Sequence, residues 1–186
     1  MENPTDSSLM RLVQTGDSAQ LGVLFERYHV ALFRYLLQLS RNRALSEDLV
    51  QEVFFRVLKY AASYDPSLAF PVWLYRMARN AYFDSLRSQR SVVAADEATE
   101  IRSSEPAPEE LLTRKQDASF LQEALQMLPE DKREVLVLSR FHNLRYKEIA
   151  LILHCEIGTV KVRVYRALKE LREKFCELRG ERLYDV

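Results

Sequence analysis

Between Ile157 and Lys169 the chain carries four basic side chains, Lys161, Arg163, Arg166 and Lys169, and no acid. Wound as an α-helix, Ile157, Val160, Val164, Leu168 and Leu171 form one stripe. Thr159, Val162, Arg163 and Arg166 are left on the opposite side, with Lys161 and Lys169 beside them. Such a strip can hold phosphates with its cations and meet base edges with its hydroxyl, guanidinium and apolar groups. Just upstream, Ile149, Ile152 and Leu153 predict a short helix against which the stripe would be buried, and the break from His154 to Gly158 is tight. Helix, break and basic helix together predict a helix-turn-helix that enters the major groove. Any surface helix carries charges outward, but the unmixed sign and the short break favour DNA.

A second strip lies on a helix expected from about Val72 to Arg90, where Arg76, Asn80, Phe83, Arg87 and Arg90 follow at steps of 4, 3, 4 and 3. Cations that track phosphates, beside an amide or ring that meets exposed bases, suit a single strand or a distorted duplex. Phe83 is the member expected to belong to the core instead. The segment from Ser63 to Pro71, with Pro66 and Pro71, is a loop placed to lie over DNA beside this helix.

Carboxylates at Asp48 and Glu52, one helical turn apart, could act as general acid and base or hold a metal. No histidine, nucleophile motif or glycine-rich phosphate loop accompanies them, so a protein-docking or solvated face is the expected reading. Their helix is predicted to start at Ser46 as N-cap, with Glu47 and Asp48 in its first turn, and to run to about Tyr60. Leu49, Val50, Val53, Phe54, Val57 and Leu58 would be buried, leaving Asp48, Gln51, Glu52, Phe55, Arg56 and Lys59 outside. Cys155, His154, His142 and Cys176 match no paired metal-ligand spacing. The two cysteines are expected to be buried thiols. No catalytic residue, metal or cofactor is expected.

The elements that position these strips follow from composition. The chain has 186 residues, 47% hydrophobic, with 4 Gly and 6 Pro, which suits small helical domains. Leu21 to Leu39 reads as a central core helix. Formal net charge is zero, but residues 1–93 hold 11 basic and 9 acidic groups, 94–128 hold 3 and 8, and 129–186 hold 13 and 10. The acidic middle includes Ser-Ser-Glu-Pro-Ala-Pro-Glu-Glu at Ser103 to Glu110, whose prolines, serines and charges build no core. The expected fold is therefore all-α. Two small helical domains, residues 1–93 and 113–186, would be joined by a flexible acidic linker at 94–112, the second domain having four helices and the helix-turn-helix. No apolar run approaches the ~20 residues of a membrane span. The first residues lack the blocks of a secretion signal, so a cytoplasmic location is expected.

Several spaced residues of the first half then stand together: Asp48, Gln51, Glu52, Phe54, Phe55 and Arg56, then Phe70-Pro71-Val72-Trp73-Leu74, Ala78-Arg79-Asn80, and Asp84 with Arg87. In the second half Leu128-Pro129, Arg133-Glu134, Leu138, Tyr146 to Ala150, Gly158 to Lys161 and Arg166-Ala167 do so. These series resemble the second and fourth conserved regions of bacterial RNA polymerase sigma factors of the extracytoplasmic-function group, the small two-domain class. Leu9, Leu12, Gly16 and Asp17 fit that family's opening helix, and the resemblance spans about Ser8 to Glu177 apart from the linker. It departs in two places: His154 stands where the family usually has a glycine, and Val162 where a small polar residue is common.

The resemblance implies a transcription initiation factor that binds core RNA polymerase and promoter DNA. Asp48, Gln51, Glu52, Phe55 and Arg56 would dock on the polymerase. Arg76, Arg79, Asn80, Arg87 and Arg90 would read and hold open the minus-ten element. Thr159, Lys161, Val162, Arg163 and Arg166 would read the minus-thirty-five element. The chain is expected to be a monomer when free, with no membrane insertion. An anti-sigma protein is a further partner the family suggests, although no residue here identifies one. The rival readings are a stand-alone helix-turn-helix repressor or activator, which leaves the Asp48 to Arg56 face unexplained, and a docking module without promoter activity.

Overall fold

The structure, a computed structural model, describes residues 4–92 and 109–180, with side chains described for 4–88 and 116–180. The described residues are helical and connected by short turns, in agreement with the all-α expectation. The first half comprises α1 (Asp6–Gln14), α2 (Gln20–Ser40), α3 (Arg43–Lys59), a 3-10 turn (Ala61–Ser63) and α4 (Phe70–Val92). The second comprises α5 (Glu109–Met127), α6 (Glu130–Leu136) continued by a π-helical turn (Val137–Phe141), α7 (Tyr146–Leu153) and α8 (Ile157–Arg179). α5 begins inside the segment expected to be linker; the remainder of that linker lies outside the described residues.

The central helix is α2, whose Leu24, Leu32, Tyr35, Leu36 and Leu39 are buried at helical spacing. α1 is fastened to it by charge: Asp6 pairs with Arg27 at 2.7 Å and also accepts a hydrogen bond from the Tyr28 hydroxyl. Arg41 ends α2 in the left-handed region, and the chain re-enters a helix at once. The N-cap of α3 is consequently Asn42, whose side chain accepts from the Leu45 amide at 3.0 Å, not Ser46. Ser46 is wholly buried inside the first turn and donates back to the Asn42 carbonyl at 2.7 Å. Leu58, expected in the core, is 45% exposed.

In the second half Val160, Val164 and Ala167 of α8 are buried with Ile149, Ala150 and Ile152 of α7. Ile157 was expected in this stripe but is 44% exposed, because it opens α8 at the turn. Ala167 is instead wholly buried in the stripe. Cys155 and Cys176 are free thiols and partly exposed, not fully buried.

The two halves are in contact. α4 packs on α7, and α2 on α6 and the π turn. Across this seam Arg133 donates to the Leu39 carbonyl at 2.9 Å, Gln126 donates to the Gln38 carbonyl at 2.7 Å, and Tyr35 donates to Glu134 at 3.0 Å. The Tyr75 hydroxyl lies 2.8 Å from Nδ1 of His142, and both rings stand edge-on to Tyr35.

Burial, with the Arg34 charge nearby, pushes His142 down from 6.5 to about 4. Above about pH 6.5 the imidazole is neutral in both folded and unfolded chains. As pH falls toward 4 the unfolded chain takes up a proton that the folded chain resists, so stability is lost over that window. Denaturant titration should show wild type losing roughly 2–3 kcal/mol more than His142→Gln between pH 7 and pH 4.5. Parallel losses in the two proteins would contradict this assignment.

Candidate nucleic-acid interface

The outward side of α3 exposes Asp48, Gln51, Glu52 and Phe55, as its spacing predicted. Phe55 is 60% exposed and is joined by Leu58 and by Tyr60 at 47%, so the face is more apolar than expected. Phe55 and Leu58, one turn apart, give this face an exposed apolar pair. Arg56 is only partly exposed. It pairs with Glu52 at 2.7 Å and reaches Asp84 of α4 at 3.1 Å, while Asp84 holds Arg87 at 2.5 Å. The Glu52 hydrogen bond holds Arg56 above its ordinary range. Burial opposes ionisation of Asp84, but Arg56 and Arg87 outweigh it and lower its carboxyl. This chain of charges ties the α3 face to the cationic side of α4.

The N-terminal end of α4 is fixed by aromatic packing. Phe70 stands edge-on to Tyr28 and Tyr64, and Tyr64 lies 5.2 Å from Trp73. Gln14 donates to the carbonyls of Ala61 and Tyr64 at 3.0 Å, and Tyr64 donates to the Leu68 carbonyl at 2.8 Å. Asp65 accepts from the Ser67 amide at 2.8 Å. The loop before α4 is thereby held as a wall. With Trp73, Arg76 and Asn80 it lines an open groove of about 430 Å³, the loop contributing Ser63, Asp65, Ser67 and Leu68. Sequence spacing placed the loop beside α4 but did not foresee Trp73 in the cavity. Indole beside an amide, a guanidinium and hydroxyls suits a planar group with polar edges.

Asn80 is exposed and also borders a second cavity, about 420 Å³, with Arg79, Phe83, Leu86, Arg87 and Glu130. Phe83 packs partly against the core, as expected, and the Arg79 guanidinium lies 4.8 Å above its ring. Arg79 itself turns toward the seam and pairs with Glu134 at 3.0 Å. Arg90 is within α4, but its side chain lies outside the described residues.

On α8, Lys161, Val162 and Arg166 are exposed, whereas Thr159 and Arg163 are partly buried. Tyr165 is 72% exposed between Val162 and Arg166, a residue the periodicity argument passed over because it was scored for core stripes and charges. The turn is made as predicted, with His154 in the left-handed region at φ 51° and its amide bonded to the Ala150 carbonyl.

Residues 24–92 match Sigma-70 region 2, and residues 121–171 match Sigma-70, region 4. The chain is 31% identical over 183 residues to the ECF RNA polymerase sigma-E factor of Escherichia coli K12, covering 93% of this chain and 95% of that protein. The chain belongs to the extracytoplasmic-function sigma factors. It is 35% identical to the RNA polymerase sigma factor CarQ of Myxococcus xanthus over 162 residues, 85% of this chain and 90% of that one. Among solved structures, the sigma factor RpoE of Bartonella quintana, in complex with the anti-sigma factor NepR, superposes with TM-score 0.67 at 26% identity. The superposition covers 82% of this chain and 94% of that one. CnrH, in complex with the cytosolic domain of CnrY, shares the fold at TM-score 0.70 and 23% identity. This sigma factor is a transcription initiation factor; most of α2 and all of α3 and α4 lie in the first matched region, and α7 with α8 as far as Leu171 lies in the second.

Holding His154 left-handed costs on the order of 1 kcal/mol that glycine would not incur. In this sigma factor His154→Gly should raise unfolding stability by up to about 1 kcal/mol, and His154→Val should lower it by more than that. A thermal melt in which glycine is the more destabilising of the two would refute the αL assignment.

Proposed function

We propose that residues 1–93 dock on core RNA polymerase and open the minus-ten element, that 113–186 read the minus-thirty-five element, and that the acidic linker at 94–112 follows polymerase channels built for nucleic acid. The observation that carries this reading is the cavity walled by Trp73, Arg76, Asn80 and the Ser63 to Leu68 loop. A base pulled from its stack costs a few kcal/mol, which contact with an indole, an amide and a guanidinium in an open groove can offset. Asn80 offers donor and acceptor to the base edge; Arg76, Arg79, Arg87 and Arg90 follow the strand.

In the major groove Val162 meets a thymine methyl, while Thr159, Arg163 and Arg166 read base edges and Lys161 holds phosphate. Tyr165 joins them because of its exposure. Asp48, Gln51, Glu52 and Phe55 form the polymerase contact, with Arg56 bracing it. The protein performs no catalysis of its own and works in the cytoplasm beside the polymerase. No described helix is long and apolar enough to cross a membrane. An anti-sigma protein is a further proposed partner, supported by relatives solved in such complexes.

Run-off transcription with purified core polymerase on fragmented genomic DNA tests the reading. New start sites should appear only with the protein. Asn80→Ala and Arg166→Ala should each reduce them about tenfold, the scale of a lost base contact. Phe55→Ala should weaken core binding at least tenfold in a pull-down titration, with stability changed by less than about 0.5 kcal/mol. Stable core binding without new transcripts would leave only a docking module.

A further inference from the structure

The groove beside Trp73 has one wall that is held from a helix outside both matched regions. α1 ends at Gln14, and the first match begins at residue 24. Leu9, Met10 and Val13 form the buried side of α1. Ser7 and Gln14 are two turns apart, so they share one face of the helix. That face meets the 3-10 turn Ala61–Ser63 and the residue after it.

Both side chains take hold of the same part of the loop. Nε2 of Gln14 donates to the Ala61 and Tyr64 carbonyls, each at 3.0 Å. The Ala61 carbonyl also accepts the Tyr64 amide at 3.0 Å, so one side-chain nitrogen ties the closing bond of the turn to α1. The Tyr64 hydroxyl donates to the Leu68 carbonyl at 2.8 Å and therefore accepts from Ser7 Oγ at 3.3 Å. Tyr64 is thus gripped from α1 at its backbone and at its hydroxyl, and its ring lies 5.2 Å from that of Trp73. The other end of α1 is fixed by the pairing of Asp6 with Arg27 and by the bond Asp6 accepts from Tyr28, whose ring stands edge-on to Phe70 at the start of α4. α1 therefore bridges the loop and the helix that line the groove.

What the loop carries into the groove is largely polar, with Ser63, Asp65 and Ser67 beside Leu68. The Ser67 amide, at 2.8 Å, keeps the Asp65 carboxyl below its ordinary range, so this wall presents an ionised acceptor. Hydrogen bonds to a base edge fade steeply with misalignment, whereas cations follow a phosphate strand without fixed geometry. Loss of loop position accordingly costs discrimination between bases before it costs affinity for the strand.

We propose that Gln14 is a positioning residue for base selection: through the Ala61 and Tyr64 carbonyls it sets the loop wall against Trp73, Arg76 and Asn80, and so decides how strictly the groove distinguishes one base from another. The inference rests on the minus-ten reading of this groove.

The test compares wild type with Gln14→Met, which keeps the length and helix propensity of the side chain and removes the donor. In the free protein, hydrogen exchange should show the amides between Ser63 and Leu68 opening at least about fivefold faster with α4 unchanged, the scale of one or two lost hydrogen bonds. Run-off transcription by the reconstituted holoenzyme then uses a start site found with wild type, all four bases being placed in turn at each minus-ten position. The ratio of best to worst base should fall at least about threefold at one position, while core affinity and the response to minus-thirty-five substitutions keep their wild-type values. If Gln14→Met melts below the assay temperature, Gln14→Asn, one methylene short of the same carbonyls, is read in the same way. Unchanged base ratios in a folded variant, or a uniform fall on every template, overturn the proposal and leave the minus-ten reading intact. Wild type that yields no transcripts, or transcripts indifferent to the minus-ten sequence, overturns that reading and the proposal with it.

Discussion

Everything functional in the first half depends on the rotational setting of α4, and that setting is made by aromatic rings at its first turn. Phe70 and Trp73 are locked among Tyr28 and Tyr64, and Tyr28 is in turn bound to Asp6, which is paired with Arg27. Large rings interdigitated at core density have few alternative packings, so the helix cannot roll. With Phe70, Leu74, Ala78 and Ala81 inward, Arg76 and Asn80 must face the loop cavity, and Tyr75 and Arg79 must face the second half. One helix thereby offers one face to the loop groove and another to the second half. The same lock carries the loop: Tyr64 contributes its ring to the cluster, its hydroxyl to Leu68 and its carbonyl to Gln14.

Charge then links the faces. Asp84 sits between Arg56 of α3 and Arg87 of α4, so a partner that engages Glu52 or displaces Arg56 alters what Asp84 can do for Arg87. These pairs are substantially exposed, and each is worth little to stability alone. Their value lies in geometry, because two guanidinium groups shared by one carboxylate link the outer face of α3 to the cationic side of α4. Glu134 differs from Asp84 in being nearly dry. A buried carboxylate that loses its partner is costly, whereas one exchanged for an equal set of contacts is not. The seam therefore rests on a matched set of contacts around this carboxylate and not on a single ion pair.

Much of this arrangement was legible from spacing. Helical periods located α2, α4, α7 and α8, the acidic faces of α3 and the cationic steps of α4, because amphipathic patterning is set locally. The misplacements were local competitions. Asn42 took the cap from Ser46 because the left-handed Arg41 ended α2 directly before it. Ile157 left the stripe because the turn lifts it off α7, and Leu58 lies on the apolar outer patch with Phe55. What spacing could not supply was the seam: Tyr35 meets Glu134 across 99 residues, and Tyr75 meets His142 across 67. Neither pair shares an element, so no periodicity records it. Family resemblance marked Arg133 and Glu134 as members of a pattern without saying what they touch.

A net charge of zero gains its meaning from that seam. A basic protein of this size would hold DNA nonspecifically through phosphate neutralisation alone, at the expense of selectivity for promoters. Here α4 and α8 carry cationic strips, and carboxylates on α3, α6 and the acidic middle of the chain help to balance the total. Successive helix positions point about 100° apart, so Asn80 and Arg79 are neighbours in sequence with separate duties. Asn80 lies open at the rim of both cavities, while Arg79 stands over Phe83 and is held by Glu134. Adjacent side chains of one helix are thereby placed in different surroundings: the Asn80 amide stays exposed, and the Arg79 guanidinium is held by an internal carboxylate.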